Sequence, residues 1–186
     1  MHQTKYLNFG FVILSPDHDL GRLKSTINSI KNRYSSEVTY VCATSKDATA
    51  EDIKEMNEVC PTFRAGTTFT SLINKGMSKG HKEWNLIIVE GTIVKRGMQF
   101  KYSRFIESDL DVLYPIVVDY DRDGKPVKLH MSFDEAPLNG IFVHQKAFKL
   151  VGNFGNNSLE IEKLLWAVDA NNKGCKFKGI LGAKVL

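Results

Sequence analysis

The stretch IIVEGT, at 87–92, places an acid, a glycine and a hydroxyl residue, Glu90, Gly91 and Thr92, directly after a β-branched-rich run. That run reads as a strand buried on both faces of a parallel sheet, and open α/β sheets bind ligands just past the carboxyl ends of such strands. Glu90 is therefore either a ligand-facing acid or an ordinary solvated strand end, and both readings stay open at this level. Other chemistries are excluded by spacing. The histidines His2, His18, His81, His130 and His144 form no HxxxH or HxH pair, so a zinc site is not indicated. DYDRDG, at 119–124, begins like a calcium loop, but its twelfth position is His130 and Pro126 interrupts it, so it reads as a hairpin turn. SPDHD, at 15–19, has no glycine, which argues against a nucleotidyltransferase phosphate loop.

These residues need elements to hold them. FGFVILS at 9–15 is a buried strand, followed by a turn at Pro16, Asp17, His18 and Asp19, with Asp19 able to cap the next helix. That helix carries Leu20, Leu23, Ile27, Ile30 and Tyr34 on one face. VTYVCA at 38–43 is a second strand with Thr44, Ser45, Lys46 and Asp47 as its exit loop. A weaker helix spans 48–59, its early acids favoured by the helix dipole, and Pro61 stops it before a short edge strand at 63–66. The segment 68–80 sets Phe69, Leu72, Ile73, Gly76, Met77 and Gly80 on a helical stripe. Glycine costs roughly 1 kcal/mol against alanine there, so Gly76 implies an unusually close neighbour, expected to be another backbone.

Three strands alternating with three helices predict right-handed crossovers and a mostly parallel sheet with helices on both faces. The remainder is less regular: a helix at 99–108, a strand at 112–120, a turn at 121–124 returning through 127–130, and a strand at 139–143. Residues 147–152 lead into a loop. Leu159, Ile161, Leu164, Leu165 and Val168 mark a last helix closed by Asn171, Asn172, Lys173 and Gly174, and a strand at 177–181 follows.

The 186 residues suit a single domain, 1–186, able to bury about 70% of its unfolded surface. The composition, 42% hydrophobic and 25% charged, is globular, and a net charge of +4 without a like-charge run points away from nucleic acid. Cys42, Cys60 and Cys175 sit in or beside apolar segments and suit buried thiols. The apolar stretch near the amino end is too short for a signal or a membrane span, so a soluble cytoplasmic protein is expected.

The order of elements resembles family 2 glycosyltransferases of the GT-A fold, enzymes that use nucleotide-diphosphosugars. The matching residues are Pro16 after the first strand, the Leu20 to Ile30 helix, Ser45-Lys46-Asp47 after the second strand, Asn74-Lys75-Gly76-Met77, and Val151-Gly152-Asn153-Phe154 before the last helix. The resemblance implies a nucleotide-sugar donor, an acceptor and inverting transfer. It also implies donor contacts from Pro16, His18, Ala43, Ser45, Asp47, Asn74 and Glu90. Where the family has an acidic pair after the second strand, this chain has Cys42-Ala43. Where the family's DxD motif holds Mn2+ or Mg2+, it has a degenerate Glu90-Gly91-Thr92, implying weaker metal binding by Glu90 and Thr92. Asp109-Leu110-Asp111 matches DxD as a string but precedes a strand, so it is read as surface. The family's catalytic carboxylate falls at Glu162-Lys163, leaving Glu160, Glu162 and Lys163 as the catalytic set. The acids are candidate bases, or first-turn acids favoured by the helix dipole; Lys163, Lys95 or Arg96 can neutralise a leaving diphosphate. A catalytically inactive binding or interaction module is the alternative.

Overall fold

The computed structural model describes residues 9–34, 38–95, 102, 105 and 109–181. Its eight strands are β1 (Phe9–Ser15), β2 (Thr39–Thr44), β3 (Thr62–Arg64), β4 (Trp84–Val89), β5 (Val112–Tyr120), β6 (Pro126–His130), β7 (Ile141–His144) and β8 (Phe177–Leu181). The helices are α1 (Leu20–Lys31), α2 (Ala50–Val59), α3 (Phe69–Lys79), α4 (Gln145–Val151) and α5 (Leu159–Asn172). One sheet runs β3-β2-β1-β4-β7-β5-β6, with β8 also paired to β5. β1 pairs in parallel with β2 and β4, β2 with β3, and β5 with β8, while β7 and β6 run against their neighbours. The mostly parallel sheet expected from the alternation is present, with two antiparallel strands added in its less regular half.

Because successive side chains of a strand point to opposite faces, β1 feeds two cores. Phe9, Phe11 and Ile13 join Leu23, Ile27 and Ile30 of α1 and Met56 of α2 on one face. Val12 and Leu14 join Leu72, Ile73 and Met77 of α3, Phe148 of α4 and Trp166 of α5 on the other. Local sequence fixes the helix starts: the Asp19 side chain accepts from Arg22 N, Thr49 and Asp52 form a capping box, and Thr68 accepts from Ser71 N. A methyl group at Gly76 would lie 2.3 Å from Val12 Cγ1 and 3.7 Å from Ala43 Cβ. The close neighbours are thus side chains of β1 and β2 rather than backbone, and the glycine lets α3 sit down on the sheet.

Three sequence expectations change. Residues 145–151 form a helix, α4, where only a lead into a loop was read. Asp111, expected at the surface, is buried; it accepts from Lys176 N at 3.0 Å and pairs with Lys146 at 2.9 Å, tying the start of β5 to β8. In α5 the stripe Ile161, Leu164, Leu165 and Val168 faces outward, each about half exposed, while Glu162, Lys163, Trp166 and Ala170 are buried. The 121–124 turn is a hairpin closed by Asp121 Oδ1, which accepts from Asp123 N and Lys125 N. The three cysteines are buried. The helix expected over 99–108 lies outside the described residues except for Tyr102 and Phe105, both helical. Among the described residues no helix is long and apolar enough to cross a membrane.

Candidate functional site

The carboxyl ends of β1, β2, β3 and β4 form one rim because these strands run the same way. Their exits are stitched together: Ser45 N donates to Ser15 O at 3.3 Å, Ala65 N to Thr44 O at 2.8 Å, Glu90 N to Leu14 O at 2.8 Å and Gly91 N to Arg22 O at 3.3 Å. Gly91 has φ +86, a left-handed conformation that glycine adopts at little cost, and it turns the chain beside the Arg22 stem.

Glu90 faces into this rim. It is buried, and its carboxylate accepts from Ser15 Oγ at 2.5 Å, Asp17 N at 3.0 Å and Asp19 N at 3.2 Å. Burial pushes the carboxyl above the ordinary glutamate value, opposed by the Ser15 hydroxyl and the Asp17 amide. Thr92, also buried, donates to Asn139 Oδ1 at 3.1 Å, and the same oxygen accepts from Val89 N at 2.6 Å. Asn139 thus ties the β4 exit to the segment preceding β7.

The residues expected at the donor site divide between exposed and committed positions. Pro16 and His18 lie half-buried in the turn held by Glu90; His18 has φ +46, and its Nδ1 is buried without a partner among the described residues. Ser45 is buried with its hydroxyl accepting from Asp47 N at 3.2 Å, while Asp47 is exposed. Ala43 is fully buried beneath α3. Asn74 donates to Phe154 O and accepts from Phe154 N, each at 2.8 Å, so its observed contacts position the loop ahead of α5. The rim therefore gathers Pro16, His18, Ser45, Asp47 and Glu90, with Ala43 as floor and Asn74 behind.

The start of α5 reaches the same rim, since β7 enters there antiparallel to β4 and Lys163 Nζ donates to Ala136 O at 2.7 Å in the preceding segment. Burial lowers the Lys163 ammonium's pKa, opposed by Glu160 and then Asp134 nearby. Glu162 turns away from that cation into the loop before α5. It accepts from Gly155 N at 2.6 Å, Asn157 N at 2.9 Å and Asn157 Nδ2 at 2.5 Å. The Asn157 backbone N–H, helped by the Asn157 amide and Gly155 N–H, holds its carboxyl below the usual value against the effect of burial. Glu160 is exposed and, with Lys163, lines a cleft of about 570 Å3 completed by Lys128, His130, Asp134 and Leu138. The sequence reading missed Asp134, Lys128 and His130. The alternation of Lys128 and His130 along a strand was the available signal for those two; the irregular segment holding Asp134 offered none.

The oxygens of Glu90 and Thr92 do not, in this arrangement, fit a Mn2+ or Mg2+ ion. Glu90 already accepts three hydrogen bonds inside the turn, and the Thr92 hydroxyl is directed at Asn139. Among the described residues no three His, Cys, Asp or Glu side chains converge as a metal group. Arg96 lies outside the described residues; Lys95 is exposed.

Taken together, the sheet order and its flanking helices are those of the GT-A glycosyltransferase fold. Among the solved structures the protein resembles, residues 1–349 of TarS of S. aureus superpose with a TM-score of 0.62 at 13% identity over 94% of this chain. The TarS crystal structure in complex with UDP gives 0.64 at 12% identity, again over 94%. The chain spans 58% of the length of the TarS chain in each case. No protein-family model matches the sequence, and comparison with curated proteins gives no match.

Proposed function

We propose that this chain transfers a sugar from a nucleotide-diphosphosugar to an acceptor hydroxyl, with inversion. The observation that carries the reading is the shared rim: the turn after β1, the loop after β2 and Glu90 are stitched together on a fold similar to one solved with UDP, with a cleft beside the start of α5. In this reading the nucleotide lies against Pro16, His18, Ser45 and Asp47, and the acceptor enters the cleft. Glu160 takes the acceptor's proton as its oxygen attacks the anomeric carbon, and the bond from that carbon to the diphosphate oxygen breaks. Lys163 offsets the charge of the departing diphosphate and keeps two N–H donors beyond the one given to Ala136. Glu162 holds the loop ahead of the helix, so Glu160 is the better placed base. No step is assigned to a metal ion.

A second reading, a nucleotide-sugar-binding module without transfer, is favoured by Glu162 and Lys163 both being engaged with backbone where the family's base stands. A thermal-shift series of UDP, GDP, CMP and dTDP sugars, with and without Mn2+, followed by assay of donor consumption, separates the two. A rise of several degrees with one nucleotide class plus turnover that collapses in Glu160→Gln supports transfer. A shift without turnover leaves the binding module, and no shift with any donor ends both readings.

A further inference from the structure

Glu90 occupies the place where a metal-binding acid would stand, yet both its carboxylate oxygens are engaged by donors at the end of β1 and in the turn after it. Its carboxylate accepts from the amides on both sides of His18, Asp17 N and Asp19 N, and from Ser15 Oγ. Drawing two amides two residues apart onto one carboxylate folds the intervening residue outward, and His18 is the one described non-glycine residue with positive φ. The same turn leaves His18 Nδ1 buried without a hydrogen-bond partner among the described residues. A cation could reach Glu90, which is 6% exposed, only by displacing these donors. Meanwhile Lys46, in the loop after β2, is exposed and has no ion-pair partner among the described residues, whereas Lys95 follows Val94, whose N–H donates to Ser29 Oγ two turns down α1 from Arg22 and away from the rim.

We infer that Glu90 is a positioning residue for the turn that carries His18, and that a nucleoside diphosphate binds this protein without a divalent cation, its charge met in part by Lys46. The inference rests on the nucleotide-sugar reading and gives that site its charge balance. Lys46 offsets one of the two negative charges of a diphosphate diester such as the donor, and no oxygen of Glu90 or Thr92 has to turn.

Isothermal titration of UDP into the full chain, once with excess EDTA and once with Mn2+, tests the charge balance. Dissociation constants within about threefold of each other are expected, with at least about a tenfold loss in both buffers for Lys46→Ala. UDP binding that is more than about tenfold weaker in EDTA overturns metal independence while leaving the nucleotide reading standing, as does Mn2+ alone binding to wild type but not to Glu90→Gln. Failure of UDP to bind in either buffer overturns metal independence together with the nucleotide reading beneath it. The positioning role is read separately by amide exchange: Glu90→Ala is expected to accelerate exchange at Asp17 and Asp19 about tenfold with the β1 amides unchanged, and Glu90→Gln to fall between. It is also expected to abolish the change in the His18 ring nitrogen signals on UDP addition. Unchanged exchange at Asp17 and Asp19 in Glu90→Ala overturns the positioning role.

Discussion

Asn74 on α3 holds Phe154 by both its backbone groups, donating to the carbonyl and accepting from the N–H at 2.8 Å each. A side chain from the first half of the chain thereby fixes the loop that leads into the last helix, 80 residues later. Asn74→Ala leaves both backbone groups of a buried residue to find new partners. It should cost about 2–3 kcal/mol in urea unfolding, and cleavage by protease within residues 152–158 should quicken. Asn74→Asp should retain part of the stability, because it still accepts from Phe154 N.

Gly76 answers to a different constraint. Alanine would gain roughly 1 kcal/mol of helix propensity, yet its methyl would collide with Val12 Cγ1 at 2.3 Å in a packed core. Gly76→Ala should therefore destabilise by about 1–2 kcal/mol net in denaturant unfolding. Combining it with Val12→Ala should cost less than the two single losses summed, since the second change opens the space the first requires.

The first half of the fold was legible because β1 and β4 are continuous apolar runs and α1 and α3 carry clean stripes, the pattern of a parallel sheet covered on both faces. Gly76 even announced its contact, though Val12 and Ala43 supply it rather than backbone. The cleft was harder to read. Its Lys128 and His130 sit on an exposed hairpin strand with no apolar period, and Asp134 lies in an irregular segment. Helix α4 was missed because seven residues with two buried side chains give too short a stripe. In α5 the stripe was visible but its direction was not. Inward placement of Glu162 and Lys163 depends on backbone partners at Gly155, Asn157 and Ala136, which no local pattern reveals.

Glu162 gives the protein an acid-sensitive joint. Its folded pKa lies below the ordinary 4.5, so the stability it contributes is present above about that pH and disappears as pH falls through the lower folded value. The melting temperature of wild type should exceed that of Glu162→Gln at neutral pH, and the gap should close progressively below about pH 4.5. A gap that stays constant into acid would mean the carboxylate's charge is not what holds Gly155 and Asn157.

Glu160 and Lys163 share the cleft but should respond differently to substitution. If Glu160 removes the acceptor's proton, Glu160→Gln should lower kcat by about 100-fold to 10,000-fold with the melting temperature unchanged, because this side chain is exposed. Lys163→Met keeps the buried stem and drops the ammonium, leaving Ala136 O without its donor. Both stability and kcat should fall for that variant. The pair of measurements separates a residue that meets the acceptor from one that also supports the wall of the cleft.

The outward stripe of α5 makes the last prediction. Trp166 is buried, stacks on Phe154 with ring centroids 5.2 Å apart, and donates from Nε1 to Gly152 O at 3.0 Å. Leu165, its neighbour in sequence, is 51% exposed. Trp166→Ala should cost about 3–5 kcal/mol, and Leu165→Lys should stay within about 0.5 kcal/mol of wild type when both are measured by urea unfolding. The sequence stripe alone predicts a large loss at Leu165. A large loss there would mean that the helix is rotated from the orientation described, with Glu162 and Lys163 released from their backbone partners and Glu160 turned away from the cleft.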